Sequence, residues 1–149
     1  MLPFKKILCP TDFSEASRLA LDVAAEIAAS FKAEVQLVHV VPVLPSLPPD
    51  PNFVLQVPEY ERALHADADR QLGALKAALT AKGLAVRTTV GHGDPGREIV
   101  RIAKDEAADL IVIATHGSTG LQHVMFGSVA EKVVRHAHRP VLTIPASKG

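Results

Sequence analysis

Hydrophobic residues along the chain follow two patterns that alternate from one segment to the next. Continuous apolar runs predict buried strands at 6–9, 34–41, 110–115 and 141–144, and an alternating run predicts another at 86–90. Between these strands, apolar residues three or four positions apart predict helices. The residues expected to face the core are Ala16, Ala20, Val23, Ile27 and Phe31 in the first helix, Tyr60, Leu64, Ala68, Leu72, Leu75 and Leu79 in the second, and Ile99, Ile102, Ala103 and Ala107 in the third.

Capping residues indicate where these helices begin. Ser14 or Asp12 is suited to cap the first helix, and Asp94 is suited to cap the third, which has a proline at its first position. The sequence of residues 128–131, Ser-Val-Ala-Glu, matches a capping box and predicts the start of a fourth helix.

Six prolines between Pro42 and Pro58 predict a loop in place of regular structure. The second helix is therefore expected from 59 to 82, with Gly83 ending it. Leucines and Phe53 within the loop leave three roles open: a surface loop packed on the domain, a lid over a binding site, or a dimer contact.

The predicted elements follow the order β-α-β-loop-α-β-α-β-α-β. A chain of 149 residues suits one domain, here spanning 1–149. Strands that alternate with helices predict an α/β, Rossmann-like fold, in which an open parallel sheet is covered on both faces. The nearly continuous apolar strands agree, since parallel strands are buried on both sides.

Charge and cysteine content narrow the classes of partner and compartment. Sixteen basic and sixteen acidic side chains balance, so the chain lacks the net positive charge that would attract nucleic acid or an anionic membrane. The apolar run after Lys6 stops at Pro10, too short for a signal peptide or a membrane span. We therefore expect a cytoplasmic protein. Cys9, the single cysteine, is expected to be a small buried hydrophobe.

Unusual residues follow two of the predicted strands. Ligands of open parallel sheets bind at the carboxyl ends of strands, and here the first strand ends in Pro-Thr-Asp and the fourth in Ala-Thr-His-Gly-Ser-Thr-Gly. Gly117 and Gly120 let the backbone approach a ligand, and Gly127 leads into a helix N-terminus, which favours anions. Hydroxyls nearby add donors, so this stretch predicts a phosphate site. Two simpler interpretations stay open at this point: glycines that only form turns, and an Asp12 that only caps a helix.

Three segments resemble the universal stress protein family. Residues 7–14 are similar to the family's opening, Gly91–Pro95 with Ile99 to its middle signature, and 110–145 to its C-terminal signature. The resemblance covers essentially the whole chain, with the proline-rich loop as the variable region. It implies a five-stranded parallel sheet of order 3-2-1-4-5 and a homodimer paired through the last strand. The residues of that strand are Val141, Leu142, Thr143 and Ile144.

The resemblance also implies a ligand, ATP with Mg²⁺. The ATP-binding branch has the pattern Gly-x2-Gly-x9-Gly-Ser/Thr, and this sequence departs from it only at the first position, where Ala114 stands. By the same resemblance, Asp12 and the backbone of Val40 would contact the nucleoside, and Pro10 and Thr11 would wall its pocket. The residues implied to hold phosphates are Gly117, Ser118, Gly127, Ser128 and Val129, with Gly120 and His116 in the same loop.

Efficient catalysis is not indicated by any motif in the sequence. No lysine follows the glycines as in a P-loop, and neither a nucleophile elbow nor a zinc motif is present. We therefore expect a nucleotide-responsive module with slow hydrolysis at best. Two alternatives stay open: a nucleotide-free dimeric interaction protein from another branch of the family, and an adenylating synthetase of related fold.

The histidines give little further indication of chemistry. His136 and His138 are two residues apart, and interaction with a helix C-terminus suits them better than a shared metal site. The remaining histidines outside the glycine loop have no evident partner in the sequence; they are His39, His65, His92 and His123.

Overall fold

A parallel sheet forms the centre of the fold in the computed structural model, which describes residues 2–43, 51–117 and 127–146, with the main chain alone for 51–57. Its strands, in chain order, are β1 (Lys6–Pro10), β2 (Glu34–Val41), β3 (Val86–His92), β4 (Leu110–Ala114) and β5 (Val141–Ile144). They lie in the order β3-β2-β1-β4-β5, and every pair is parallel. The α/β fold and the strand order expected from the resemblance are both confirmed.

Helices cover both faces of this sheet. They are α1 (Glu15–Phe31), α2 (Pro51–Ala81), α3 (Pro95–Asp105) and α4 (Ser128–His136). Alternate strand residues point to opposite faces, so one hydrophobic cluster forms under α1 and α2 and a second forms under α3 and α4. Among the described helices, none combines the length and the apolar character needed to cross a bilayer.

The face that α1 turns to the sheet differs from the predicted one. Alanines form the centre of this face: Ala20, Ala24 and Ala28 are fully buried. Phe31 remains 39% exposed, and the predicted Val23 is only half-buried. The prediction is confirmed at Ala20, but it then followed the larger side chains of Val23, Ile27 and Phe31 toward the end of the helix. Small ones occupy the centre because they let the helix lie close to the sheet, and the larger ones fill the flanks.

The second helix begins eight residues earlier than the prolines suggested. Pro51 takes its first position, where a missing N–H costs no helical bond, and Pro58 lies inside it. The predicted loop at 42–58 is therefore wrong for 51–58, and residues 44–50 lie outside the described ranges. Ala68, Leu72 and Leu79 are buried as predicted, with Leu64 and Leu75 half-buried.

Tyr60, in contrast, is 53% exposed. Thirty-one residues of helix span about 46 Å, whereas the eight residues of β2 span about 26 Å. The helix is thus longer than the strand, and the exposed Tyr60 lies toward its N-terminal end. Gly83 follows this helix with a left-handed φ of 89°, in keeping with its predicted role as a helix stop.

Two further local predictions are wrong. Ala107 does not face the core, because it follows α3 with a left-handed φ of 53° and is exposed, while Ala108 is buried in its place. The capping box at 128–131 does not form either. Gly127 is the N-cap of α4, and no side chain from the described residues caps this helix.

Candidate functional site

A cavity of about 440 Å³ opens at the carboxyl edge of the sheet, where β1 and β4 lie side by side. This volume lies within the range of small-molecule sites, and the position is the switch point at which such folds bind ligands. The ends of β1, β2 and β4 form its floor, and the first turns of α3 and α4 form one wall. The lining residues are Pro10, Thr11, Asp12, Ser17, Val38, His39, Val40, Pro42, Pro95, Ile99, Ile113, Ala114, Thr115, His116, Gly117, Gly127, Ser128, Val129 and Ala130.

Every predicted site residue within the described ranges lines this cavity. Two of the predicted phosphate-loop residues, Ser118 and Gly120, lie outside those ranges. The chain fold therefore brings the first and fourth strand ends together as the sequence suggested, while the binding role of each residue stays a prediction.

The turn from β1 into α1 is fixed by hydroxyl and carboxylate hydrogen bonds. Thr11 is buried, and its Oγ1 lies 3.0 Å from the Ser17 Oγ and accepts the Phe13 N–H over 3.0 Å. Ser14 caps α1 by accepting the Ser17 N–H over 3.2 Å. Asp12 is thus not the helix cap, although its Oδ1 accepts the Ser14 N–H over 3.0 Å.

The second carboxylate oxygen of Asp12 reaches across the cavity to the loop after β4. A Cβ atom placed on Gly117 would lie 2.5 Å from the Asp12 Oδ2, closer than real carbon–oxygen contacts allow. The backbone at 117 has no left-handed φ, so the role of glycine there is to leave room for this carboxylate, which any side chain would displace. The two predicted motifs, the end of β1 and the glycine-rich segment after β4, therefore lie side by side at Asp12 and Gly117.

Backbone hydrogen bonds place the start of α4 directly beside the end of β4. The Thr115 N–H donates to the Ile144 carbonyl over 2.9 Å, and the Thr115 carbonyl accepts the Gly127 N–H over 2.6 Å. A Cβ atom on Gly127 would lie 3.2 Å from that same carbonyl oxygen. Thr115 also contacts the next residue, with its Oγ1 2.9 Å from the His116 Nδ1.

The N-terminus of α4 differs from those of α1 and α3 in its capping. Ser14 and Asp94 each accept a first-turn N–H of their helix, whereas Gly127, in an extended conformation, offers no side chain. Among the described residues, no other side chain takes the first-turn N–H groups of α4. Those groups and the helix dipole favour an anion beside Ser128 and Val129, at the wall of the cavity.

The start of α3 is already neutralised. The Asp94 carboxylate accepts the Arg97 N–H and the Lys132 ammonium, each over 3.0 Å, and these two contacts hold its pKa below the usual 3.8. Gly96 lies against the same lysine, because a Cβ atom there would be 2.6 Å from the Lys132 Cδ. Of the two helix starts at the cavity, that of α3 has a side-chain cap and that of α4 has none among the described residues.

Ala114, the departure from the family pattern, does not crowd the start of α4. Its side chain packs against the cluster under α1 and α2, while the neighbouring Ile113 packs against the cluster under α3 and α4. The methyl group and the α4 N-terminus therefore lie on opposite faces of the sheet.

Sequence reasoning missed several lining residues and assigned no partner to three histidines that have one. The His39 Nδ1 lies 2.8 Å from the Thr11 carbonyl oxygen. The His65 Nδ1 contacts the Asp69 carboxylate over 3.0 Å, and the His65 ring stacks on that of His92 with centroids 5.3 Å apart. The missed lining residues lie next to strand ends or in the first turns of α1, α3 and α4, and this placement was their only signal in the sequence. They are Ser17, Val38, His39, Pro42, Pro95, Ile99, Ile113, Thr115 and Ala130.

Metal-binding and cysteine chemistry receive no support from the described part of the chain. It contains no group of three or more His, Cys, Asp or Glu side chains placed to hold an ion. Cys9 is fully buried, as predicted, and burial raises the pKa of its thiol to about 12. His123 lies outside the described residues.

Comparison with known proteins places this architecture in one family. The model of the universal stress protein family matches residues 3–145. The universal stress protein MJ0531 of Methanocaldococcus jannaschii is 38% identical over 147 residues, covering 97% of this chain and 84% of the relative. The solved structure of MJ0577, a universal stress protein of the same organism, superposes with a TM-score of 0.80 at 32% identity, covering 98% of this chain and 99% of that one.

A further solved structure is that of a universal stress protein in complex with cAMP. It has a TM-score of 0.64 and 25% identity, and the match covers 97% of this chain and 98% of that one. From the family match over nearly its whole length and the close relatives, this chain belongs to the universal stress protein family.

Proposed function

We propose that this chain binds an adenine nucleotide, specifically ATP with Mg²⁺, in the cavity at the carboxyl edge of the sheet. The observation that carries the proposal is the N-terminus of α4, which no side chain of the described residues caps and which lines a cavity of about 440 Å³. The solved relative in complex with cAMP supports an adenine nucleotide as the ligand class.

The two ends of the cavity suit different parts of such a ligand. The nucleoside would lie at the ends of β1 and β2, where Pro10 and Thr11 form a wall and Asp12 and the Val40 backbone offer polar contacts. The phosphates would lie on the first turn of α4 and the loop after β4. The residues proposed for the phosphates are Gly117, Gly127, Ser128 and Val129, with His116, Ser118 and Gly120 from the same loop.

The described residues fit Mg²⁺ only as a partner of the phosphates. Mg²⁺ is commonly held by phosphate oxygens and water with one or two carboxylates. Asp12 supplies one carboxylate at the cavity, and its Oδ1 is already occupied by the Ser14 N–H. The ion, when bound, would neutralise phosphate charge, while the chain itself binds and orients the nucleotide.

A binding role with slow hydrolysis suits these residues better than efficient turnover. The chain has no P-loop lysine, and the recognition of phosphate rests on backbone N–H groups. ATP would then act as a conformational signal. The competing function is a nucleotide-free dimeric interaction protein of the same family.

We also propose a homodimer paired through β5. This strand lies at the edge of the sheet, pairs only with β4 among the described strands, and leaves Leu142 37% exposed. Pairing with a second copy would satisfy the outward backbone groups of an edge strand. Light scattering on the purified protein should give twice the chain mass, and a single chain mass would contradict this pairing.

Calorimetry on the stripped protein tests the nucleotide proposal. The protein is denatured, the released small molecules are identified by chromatography, and the refolded chain is titrated with ATP, ADP and AMP with and without Mg²⁺. Asp12→Ala should weaken binding, while Asp22→Ala, an exposed carboxylate on α1, serves as the matched control. Absence of both released nucleotide and binding heat would favour the nucleotide-free dimer.

A further inference from the structure

His39 lines the cavity at the ends of β1 and β2, where the nucleoside is proposed to lie. We propose that His39 is a positioning residue, which keeps the Val40 N–H available to the nucleotide by occupying the Thr11 carbonyl. The effect on affinity rests on the proposed function, whereas the hydrogen-bond arrangement can be tested without a ligand.

Pairing between β1 and β2 stops one hydrogen bond early at this point. The register ends at Pro10 opposite Val38, and the Thr11 N–H still donates to the Val38 carbonyl over 2.8 Å. The next bond of a parallel ladder would run from the Val40 N–H to the Thr11 carbonyl. That carbonyl lies instead 2.8 Å from the His39 Nδ1.

The chemistry of this contact fixes the tautomer of His39. A carbonyl oxygen can only accept, so Nδ1 carries the hydrogen and donates it. The imidazole thus takes the place of a main-chain donor in the ladder. It ends the pairing of the two strands at the floor of the cavity.

Phe13 holds the imidazole in this position. Its ring packs on that of His39 with centroids 4.5 Å apart and an angle of 30° between the planes. Phe13 has a left-handed φ of 66°, a conformation that is unfavourable for a residue other than glycine. The bond from the Phe13 N–H to the Thr11 Oγ1 stabilises that conformation. Thr11 is therefore held through its N–H, its carbonyl and its hydroxyl.

Two groups that face the nucleotide depend on this arrangement. Val40 lines the cavity and is 8% exposed, and its N–H makes no main-chain bond to the Thr11 carbonyl among the described residues. In the proposed arrangement the imidazole keeps it outside the ladder. Asp12 follows Thr11 directly, so the orientation of their shared peptide also sets the position of the carboxylate. Loss of His39 would let the ladder close by one bond and turn both groups away from the ligand.

Substitutions at His39 distinguish the loss of the hydrogen-bond donor from the loss of the ring's volume. In His39→Asn the amide nitrogen occupies the place of Nδ1, and we expect ATP affinity within about threefold of wild type. In His39→Leu the donor is absent, and we expect a loss of roughly tenfold, comparable to one hydrogen bond. Thermal unfolding of each variant shows whether it is folded at the assay temperature. His39→Gln, whose nitrogen lies one bond farther out, replaces the leucine variant if that one does not fold.

Amide hydrogen exchange at Val40, followed by NMR, tests the mechanism itself. In ligand-free wild type this amide should exchange faster than those of the paired residues before it, and in His39→Leu it should become protected at least tenfold. A Val40 amide that is equally protected in both proteins would overturn the proposal. So would equal ATP affinities for the asparagine and leucine variants. If wild type binds no nucleotide, the proposed function fails, and the exchange result still decides the role of His39.

Discussion

Gly117→Ala adds a single methyl group at the contact between the two halves of the cavity. The new Cβ atom would lie 2.5 Å from the Asp12 Oδ2, whereas ordinary contacts begin near 3.4 Å. The carboxylate must therefore withdraw by about 0.9 Å, the difference between these two distances. Because its Oδ1 is held by the Ser14 N–H, the movement breaks that bond or displaces the Oδ2 that we propose contacts the nucleotide.

The free energies of the affected interactions predict a weaker ATP affinity with little change in the free energy of unfolding. Loss of one hydrogen bond to the nucleotide costs about 1.5 kcal/mol, which is roughly tenfold in Kd. A lost Asp12–Ser14 bond would cost about 1 kcal/mol of folding free energy. Replacement of glycine by alanine at a compatible backbone conformation raises the free energy of unfolding by about 0.4–1 kcal/mol, because it reduces the entropy of the unfolded chain. The two stability effects nearly cancel.

Calorimetric titration with ATP and urea unfolding measure the two quantities on the same variants. Gly73→Ala is the matched control, because nothing lies within 4 Å of its new methyl group inside α2, and it should bind as wild type. The double variant Asp12→Ala/Gly117→Ala should bind no more weakly than Asp12→Ala alone, since the clashing carboxylate is gone. A full tenfold loss from Gly117→Ala in that background would refute the steric reasoning.

Three further predictions concern the edge strand, the buried thiol and the start of α3. The carbonyls of Pro140 and Ile144 face β4, so the N–H of Thr143 points to the open edge of the sheet. The variant Thr143→Pro lacks this N–H and should be a folded monomer by light scattering. A dimer of that variant would exclude pairing through β5. Cys9 has a thiol pKa raised by burial to about 12, so it should react with a thiol reagent only in urea, and reaction in the native protein would show that its burial is not maintained. Asp94 has a lowered pKa, so its stabilising charge is present above pH 3.8 and is lost as pH falls through the lower folded value. The difference in melting temperature between wild type and Asp94→Asn should shrink below pH 3.8, and a difference that is constant with pH would contradict this.

The sheet could be predicted from the sequence because its strands are short, apolar and separated by clear helix signals. The helices were predicted less well wherever size or position mattered more than periodicity. In α1, large side chains such as Phe31 suggested a face that alanines occupy, because periodicity does not show how closely a helix approaches its sheet. At Pro51 the same proline that suggested a loop begins a helix, since the first helical position needs no N–H.

The position of the cavity followed from a general rule, but the contacts within it were not predicted. The strand-end rule brings Asp12 and Gly117 to one edge without showing that the carboxylate needs the space of a missing side chain. A lone histidine such as His39 has no visible partner in the sequence, because its partner is a main-chain carbonyl on a neighbouring strand. The capping box at 128–131 matched a local pattern, yet the N-cap is Gly127, whose N–H donates to the Thr115 carbonyl.

The alanine face of α1 has a consequence for how the protein tolerates amino-acid change. Ala20, Ala24 and Ala28 have no exposed surface, so any larger side chain there must push the helix off the sheet, at a cost of about 1–3 kcal/mol. On the opposite face, residues such as Ile111 and Val133 can exchange for other aliphatic side chains of similar volume at smaller cost. A deep mutational scan should therefore find the two layers unequal, with α1 accepting almost no enlargement and the layer under α3 and α4 accepting many conservative exchanges.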